Sequence, residues 1–448
     1  MSESPRIATS EQSPTDWWTA PLGRYVTSWA VGPRFPGGWY DENGQVATLR
    51  TTDMNEDGKL TLSSMPKANL PLAAFSPHFL QPNDLVISRS GTCGIAGVFP
   101  GHDISVVPGA FLIRFRFEDT IDPVYMRYLL NSPAGRERVL REAEGGVQKN
   151  IRGSSILRIP ITIPERSEQE LVVKILTTLD NLIENTESLI AKYQAIKQGM
   201  MHDLFTRGVD THGHLRPPQT EATEHYKQSE LGWIPDTWNV RTLGEVAEVG
   251  GGVTLGRDLS GSQVIELPYL RVANVQDGYL DLSEIKTVAV LKAEVDRFSL
   301  QTGDMLMTEG GDFDKLGRGT IWRGQISPCL HQNHIFRVRP SRDVILPDFL
   351  ASVTASSHGK RYFLVSSKQT TNLATINSTQ LKAFPVPLPS LDEQERIIGR
   401  LTAVDRCIDN EQCHLGKMRH EKTGLMQDLL TGKVRVKVDD SEEVANHA

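Results

Sequence analysis

Several groups of residues have types that could support catalysis, but their spacing does not match a catalytic motif. Gly250, Gly251 and Gly252 could approach a phosphate, yet no GxxxxGK(S/T) loop and no following helix pattern accompanies them. The run Asn131–Ala134 lacks the Asn/Asp-Pro-Pro-aromatic order with which a DNA methyltransferase holds a flipped base. A two-metal carboxylate cluster, a G-x-S-x-G elbow and an H-E-x-x-H helix are also missing from the sequence. We therefore predict that this chain is not an enzyme.

Residues that could bind a metal or form disulfide bonds are also poorly spaced for these roles. The four cysteines form no CxxC pair and no Cys/His cluster: Cys93, Cys329, Cys407 and Cys413. His212 and His214 lie in a polar segment without periodicity, where solvated side chains are a simpler interpretation than metal ligands. We expect no metal, and free thiols in a reducing cytoplasm.

Length and composition limit the class of protein. A chain of 448 residues predicts at least two globular units, and 39% hydrophobic with 23% charged residues is typical of folded proteins. The formal charge of −7 provides no overall basic surface for nucleic acid, although local basic loops are compatible with it. The N-terminus lacks a basic start followed by an apolar run, and no stretch of about 18 apolar residues occurs. We expect neither secretion nor a membrane span.

The chain is an internal duplication. Residues 164–209 align without gaps on residues 389–434, an offset of 225, with 17 identities in 46 positions, where composition alone would give roughly 3. Upstream regions repeat more faintly and in the same order, as in Leu22-Gly23 and Leu243-Gly244. Between the repeated pieces the copies diverge, as expected either for one scaffold with two variable surfaces or for drift after duplication.

Each repeated block predicts a long helix. Both blocks open with proline and an acidic turn, so the helices should begin near Ser167 and Leu391. No glycine interrupts the first helix before Gly199, which predicts a rod of about 35 residues and roughly 50 Å. Apolar residues recur at alternating steps of four and three: Val172, Leu176, Leu179, Ile183, Ile190, Tyr193, Met200 and Leu204, and Ile397, Leu401, Val404, Ile408, Leu415, Met418, Leu425 and Leu429.

These heptads predict that the two helices pair with each other. Polar residues interrupt both seams at matching places, Thr186 and Lys197 in the first helix and Glu411 and Lys422 in the second, and such residues can fix the register. An ordinary helical hairpin or an oligomerisation stalk would show the same periodicity. The intervening globular regions favour pairing within a duplicated chain.

The regions before each helix predict short strands joined by loops, together with a helix over 123–142 and another over 346–363. The segment 208–236 mixes histidine, proline and polar residues as a linker does. The predicted fold class is α+β: a tandem duplication of an α+β domain followed by a long helix, with the two helices pairing as an antiparallel coiled coil.

The repeated blocks resemble the specificity subunit of type I restriction-modification systems. Its P(x)nEQ(E/K) turn opening a long helix is present twice, in PERSEQELVVKIL and PSLDEQERIIGRL, and LMQDLLTGKVRV resembles the family's helix ending. The segment LGWIPDTWNVRTLGEVAEVGGGVTLG resembles the start of a target-recognition domain. The corresponding WWTAPLGRYV of the first copy departs from that pattern.

The resemblance implies the following organisation: an N-terminal tail (1–16), target-recognition domain 1 (17–160), a central spacer helix (161–209), a linker (210–236), target-recognition domain 2 (237–387), a distal spacer helix (388–436) and a C-terminal tail (437–448). It implies that each domain reads one half of a bipartite double-stranded DNA site. The paired helices would act as a ruler and as a platform for two methyltransferase subunits, which motor-nuclease restriction subunits join. S-adenosylmethionine, ATP and magnesium are expected on those partners, and no cofactor on this chain.

Within such domains, arginine suits guanine edges, asparagine suits adenine edges, and basic side chains hold phosphates. For each residue a solvated turn is the alternative interpretation. The candidates in polar loops are Arg50, Arg89, Lys149, Asn150, Arg152, Arg271, Asn274, Lys315, Arg318, Lys368 and Asn372.

Two hypotheses from other classes stay open at this stage. One is a cytoplasmic coiled-coil adaptor whose two domains bind proteins or small ligands, and the other is an enzyme with an unrecognised site. Neighbouring genes for a methyltransferase and a helicase-nuclease would separate the first of these from the DNA-recognition hypothesis.

Overall fold

Two compact units make up the chain: unit 1 comprises residues 1–187 and 413–448, and unit 2 comprises residues 188–412. The computed structural model describes residues 16–144, 149–257, 259, 263–311, 316–317, 319–369 and 374–436. The two predicted tails therefore lie outside the described residues, except for Asp16.

Unit 1 contains a four-stranded antiparallel sheet, a three-stranded sheet and two separate pairs of strands. Its strands are β1 Trp18–Pro21, β2 Val26–Val31, β3 Val46–Leu49, β4 Lys67–Ala68, β5 Leu85–Ser88, β6 Ala96–Val98, β7 Ser105–Pro108, β8 Leu112–Phe117, β9 Ala143–Glu144, β10 Asn150–Ile151 and β11 Pro160–Ile163. The helices that begin in it are α1 Leu72–Phe75, α2 Pro123–Asn131, α3 Pro133–Arg141, α4 Gly153–Ile156 and the long α5 Arg166–Thr206. The sheet orders are β2-β8-β5-β6, β4-β3-β7, β1-β11 and β10-β9.

Unit 2 repeats this arrangement. Its strands are β12 Tyr226–Ser229, β13 Gly232–Pro235, β14 Asn239–Thr242, β15 Ala247–Gly251, β16 Val264–Leu270, β17 Lys286–Leu291, β18 Met305–Thr308, β19 Gly310–Gly311, β20 Gly319–Ile321, β21 Leu330–His331, β22 Ile335–Pro340, β23 Lys368–Gln369, β24 Ala374–Thr375 and β25 Pro385–Leu388. Its helices are α6 Leu243–Val246, α7 Val295–Phe298, α8 Pro347–Ala355, α9 Ser357–Ser366, α10 Ser378–Lys382 and the long α11 Leu391–Thr431. The orders β15-β22-β18-β20, β17-β16-β21 and β14-β25 match those of unit 1, so the predicted α+β duplication is confirmed.

The inner strands β5 and β18 bury side chains on both faces of their four-stranded sheets. Because side chains alternate along a strand, Leu85 and Ile87 pack in the cluster with α2, whereas Val86 packs in a second cluster on the opposite face. Met305 and Leu306 divide in the same way in unit 2. Full burial of each such side chain stabilises the fold by about 1.5 to 3 kcal/mol.

The single helices predicted over 123–142 and 346–363 are each two helices. Ser132 leaves the helical region, with φ −60° and ψ 153°, and its hydroxyl accepts the amide N–H of Gly135 as an N-cap. Gly135 packs so tightly that a Cβ there would lie 1.9 Å from the carbonyl oxygen of Leu129. Ser356 and Gly359 repeat this break. The prediction was wrong because the apolar pattern continues through a capped turn.

The long helices begin where the sequence predicted them, at Arg166 and Leu391. In unit 1 the start of α5 and the end of α11 share one core, which includes Leu176 and Leu429. In unit 2 the end of α5 and the start of α11 share the other core, which includes Leu204 and Leu401. Because opposite ends meet within each unit, the antiparallel pairing is confirmed.

Two equivalent ion pairs join the helices. Lys197 contacts Asp405 at 2.5 Å within unit 2, and Lys422 contacts Asp180 at 2.7 Å within unit 1. These lysines are the predicted polar interruptions of the seam. Each lysine reaches its aspartate on the other helix only when the helices pair in one register.

Near the ends of the helices the predicted seam is wrong by one residue. Met201 and Met426 are buried instead of Met200 and Leu425, and Leu425 is 37% exposed. The end of α5 contributes Met201 to the core of unit 2, and the end of α11 contributes Met426 to the core of unit 1. Packing on a globular core therefore replaces helix–helix packing at the ends.

The segment interpreted as a linker contains the β12–β13 hairpin and is hydrogen-bonded to the start of α11 within unit 2. Arg216 donates to both carboxylate oxygens of Glu393, at 2.5 and 3.0 Å, and the amide of Val209 donates to the same carboxylate. Its conformation is therefore determined by nonlocal hydrogen bonds to the start of α11.

Unit 1 has an equivalent junction at the start of α5. Arg435 donates to both carboxylate oxygens of Glu168, at 2.8 and 2.7 Å, and to Asp16. Its guanidinium also lies over the ring of Trp17 at 5.7 Å. The hydrogen bonds with Glu168 raise the pKa of Arg435. Asp16 consequently belongs to the folded unit and not to the predicted tail.

Candidate nucleic-acid interface

Arg50 lies at the start of a short 3₁₀ turn and holds the loop that follows β3. Its guanidinium donates to both carboxylate oxygens of buried Asp53, at 3.0 and 2.7 Å, and to the carbonyl oxygen of Ser64 at 3.0 Å. The hydrogen bonds with Asp53 raise the pKa of Arg50. Most of its donors therefore stabilise the loop, although its side chain is 43% exposed.

Arg271 and Asn274 form the equivalent turn in unit 2. The Asn274 side chain accepts from the amide of Arg271 at 2.8 Å and donates to the carbonyl oxygens of Asp281 and Glu284. Asn274 is only 3% exposed, so its amide is used within the protein and is not available to an adenine edge. Arg271 pairs with Glu284 at 3.1 Å. In sequence, a residue that caps its own turn is indistinguishable from an exposed one.

Four predicted residues of unit 1 lie close together beyond the end of β5. Arg89 donates from Nε to the side-chain oxygen of Asn150 at 3.1 Å, and Ser90 forms a β-bridge with Asn150. Lys149 is exposed beside it. Arg152 is also exposed and pairs with Glu144 across the β9–β10 hairpin at 2.9 Å.

The same edge exists in unit 2, beyond the end of β18. Here β19 pairs with β24, and β24 pairs with β23, which begins at Lys368. Lys368 is exposed. The other three predicted residues of this edge, Lys315, Arg318 and Asn372, lie outside the described residues.

Sequence reasoning missed three exposed or half-buried side chains at these edges. Phe111 is 56% exposed, and its carbonyl oxygen accepts from the amide of Arg89 at 2.8 Å. In unit 2, His334 accepts from the amide of Glu309 at 3.0 Å through its carbonyl oxygen, and its ring Nδ1 lies 2.7 Å from a Glu309 carboxylate oxygen. The repeat pairs Asp84 with Asp304; extended five residues, it would have aligned Arg89 with Glu309.

The described residues of these edges offer hydrogen-bond donors and acceptors. Within the described ranges, no group of three His, Cys, Asp or Glu side chains is placed to hold a metal ion. Cys93 is buried beside Arg89, and burial raises the pKa of its thiol, which disfavours the reactive thiolate. Among the helices described, none is both long and apolar enough to cross a membrane. Exposed polar side chains on a rigid sheet edge suit recognition of a polar surface.

A known family model matches the sequence twice. The model described as "Type I restriction modification DNA specificity domain" matches residues 30–194 and 235–417, together more than half of the chain. Each match covers most of one α+β copy and continues into the long helix that follows it.

Several relatives have similar sequences. The type I restriction enzyme StySPI specificity subunit of Salmonella potsdam is 24% identical over 94% of this chain and 89% of its own length. The EcoKI specificity subunit of Escherichia coli is 23% identical over 80% of this chain and 75% of its own length. Two relatives from Methanocaldococcus jannaschii, one of them the MjaVIII specificity subunit, are 29% and 28% identical, and the alignments span only 49% and 63% of their lengths.

Two solved structures share the fold. The type I restriction-modification S subunit from M. genitalium superposes with a TM-score of 0.53, at 16% identity, over 97% of this chain and 99% of its own. A chain from a structural study of complex assembly and conformational transition in the type I R-M system superposes with a TM-score of 0.54, at 15% identity, over 94% and 100%. At these identities the likeness concerns the fold.

Proposed function

The chain belongs to the type I restriction-modification DNA specificity family, and we propose from this membership that it is the DNA-recognition subunit of such a complex. Unit 1 and unit 2 each read one half of a bipartite double-stranded DNA target. The chain itself is non-catalytic and works in the cytoplasm, where its DNA target is accessible.

One observation carries this proposal: the two units repeat their framework contacts and differ at their exposed edges. Arg116 bonds Asp84 in unit 1 as Arg339 bonds Asp304 in unit 2, in both cases at 2.7 Å. By contrast, the side chains at the exposed edges beyond β5 and β18 differ between the units: Arg89 follows β5, and Glu309 follows β18. A protein that reads two unlike half-sites needs this combination of a common scaffold and unlike contact residues.

The partners follow from the family. Two methyltransferase subunits and motor-nuclease restriction subunits assemble with this chain, and S-adenosylmethionine, ATP and magnesium act on those subunits. The sequence supports this division, because it has no phosphate-binding loop and no methyltransferase motif. The names of the relatives, which are specificity subunits, support it as well.

The experiment is single-molecule methylation mapping of DNA from cells that express the full chain with its neighbouring methyltransferase. A split motif with methylated adenines is expected only when both proteins are present, because the methyltransferase requires this chain to find its target. Cells with the methyltransferase alone are the control. Identical methylation maps would contradict the proposal and favour the coiled-coil adaptor.

We further propose that the length of the long helices sets the gap between the half-sites. Inserting four residues after Asn185 and another four after Asn410, which are equivalent positions, adds roughly 6 Å to each helix. The recognised spacer is then expected to lengthen by about one to two base pairs. Methylation mapping measures the spacer directly.

An insertion of four residues after Gly213 is the matched control, since a Cβ added at this position would meet nothing within 4 Å. It should leave the spacer unchanged. A spacer that stays the same with the helix insertions, in a complex that still methylates, would contradict the role of helix length.

A further inference from the structure

Arg89 and Glu309 occupy the same backbone position in the two units. The amide of Arg89 donates to the carbonyl oxygen of Phe111 at 2.8 Å, and its own carbonyl oxygen accepts from Ile151 at 3.0 Å. Glu309 makes the same two bonds, to His334 at 3.0 Å and from Ile376 at 2.9 Å. Both residues follow the last residue of the central strand, after Ser88 and Thr308.

A structural role does not explain the side chains at this position. The Asp84–Arg116 pair of the framework keeps both of its charges in unit 2, as the Asp304–Arg339 pair. At the sheet edge, Arg89 and Glu309 have side chains of opposite charge although their backbone hydrogen bonds are equivalent. The position is also reachable from solvent, since the Arg89–Asn150 contact is exposed and Glu309 lies beside exposed His334.

Both side chains retain hydrogen-bonding capacity. Arg89 uses Nε for Asn150, and its two terminal nitrogens have no bonding partner within the described ranges. Glu309 has one short contact with His334, and an ionised carboxylate can accept about four hydrogen bonds. The neighbouring side chains orient the two groups without saturating them.

The guanidinium of Arg89 and the carboxylate of Glu309 suit the two different bases of a G·C pair. A guanidinium donates to O6 and N7 of guanine, and a carboxylate accepts from the N4 amino group of cytosine. A carboxylate facing phosphates would be repelled, so at a DNA surface it is useful only against a base amino group.

We propose that Arg89 and Glu309 are equivalent base-reading residues of opposite polarity, Arg89 selecting guanine in one half-site and Glu309 selecting cytosine in the other. This inference rests on the proposed function. Beyond the proposed function, the inference names the residue of each unit that determines specificity and the base that each residue selects.

The test uses the full chain in complex with its methyltransferase partner. The variants Arg89→Gln and Glu309→Gln remove one charge each at a reachable position, so their stability should change little. Each is expected to reduce discrimination about tenfold to a hundredfold at one G·C pair. The affected pairs should lie in different halves of the motif. Methylation mapping and competition binding to duplexes substituted at that pair measure this.

Arg158→Gln and Glu224→Gln are the matched controls, because they make the same changes at exposed positions whose side chains pair with Glu142 and His225. They should retain wild-type stringency. Thermal unfolding of each complex verifies that the variants are folded. If a variant proves unfolded, Arg89→Lys and Glu309→Asp, which keep the charge but alter its reach, replace it, with the same expected half-site restriction.

Unchanged stringency in both test variants would overturn the inference and leave the proposed function intact. Relaxation of both half-sites by one variant, or relaxation at an A·T pair, would overturn it equally. If the wild-type complex writes no split motif, the proposed function fails and the inference fails with it.

Discussion

Replacing Arg216 with alanine is expected to lower the stability of unit 2 by about 3 to 5 kcal/mol. Its partner Glu393 is 4% exposed and would remain buried, with the backbone N–H of Val209 as its one remaining donor among the described residues. A buried carboxylate without its counter-charge must either protonate or be hydrated, and both disrupt the start of α11. Hydrogen exchange of peptides covering 208–216 and 391–397 would measure the local loss of stability.

Arg141→Ala is the control for this prediction. Arg141 and Glu137 form an ion pair whose side chains are 71% and 64% exposed, so its loss should cost less than about 1 kcal/mol. Arg435→Ala is the matched variant in unit 1 and should increase exchange near Glu168 without affecting 391–397. A change in Arg216→Ala as small as that in Arg141→Ala would refute a stabilising role for the junction.

Replacing Gln394 with alanine is the second substitution with a large expected effect, a loss of about 3 kcal/mol or more. Its side chain is fully buried, accepts from the amide of Leu346 at 2.8 Å, and donates to the carbonyl oxygens of Val344 and Pro389. Alanine leaves three backbone groups without partners, and each buried unsatisfied group costs about 1 to 3 kcal/mol. Urea denaturation together with exchange at the start of α8 would measure the effect.

Gln394→Glu keeps the acceptor for the amide of Leu346 but places a buried carboxylate against the carbonyl oxygens of Val344 and Pro389. A loss of stability at least as large as that of Gln394→Ala is expected at neutral pH, because a buried carboxylate without a counter-charge is costly. Gln198→Ala, at an exposed position of α5, should change stability by no more than about 0.5 kcal/mol. If Gln394→Ala were no more destabilising than Gln198→Ala, the hydrogen bonds would not be holding α8 to the start of α11.

The glutamine and glutamate of the repeated EQ pair illustrate what a motif does and does not reveal. Their repetition in the sequence marked the starts of both helices correctly. It did not indicate that Gln169 and Gln394 form hydrogen bonds with the domain that precedes each helix. Nor did it indicate that Glu168 and Glu393 each accept hydrogen bonds from an arginine of a distant segment. These contacts span 47 to 267 residues, and local patterns contain no information about them.

The predicted DNA contacts divide in a similar way. Arg89, Lys149, Asn150 and Arg152 come together at one edge, while Asn274 is buried and Arg50 pairs with buried Asp53. Residue type and loop location could not separate these cases, because the difference is whether the side chain has partners elsewhere in the fold. Glu309 was overlooked since acidic residues are not expected on DNA-binding surfaces.

The duplication, the α+β class, the two long helices and their pairing with each other could be predicted from the order of residues alone. Each of these depends on periodicity or self-similarity, which are properties of residue order. The fold was needed to reveal the capped break at Ser132, the shift from Met200 to Met201, and the burial of Asn274. Burial and hydrogen-bond partners depend on elements that are distant in the chain and meet only when the fold has formed.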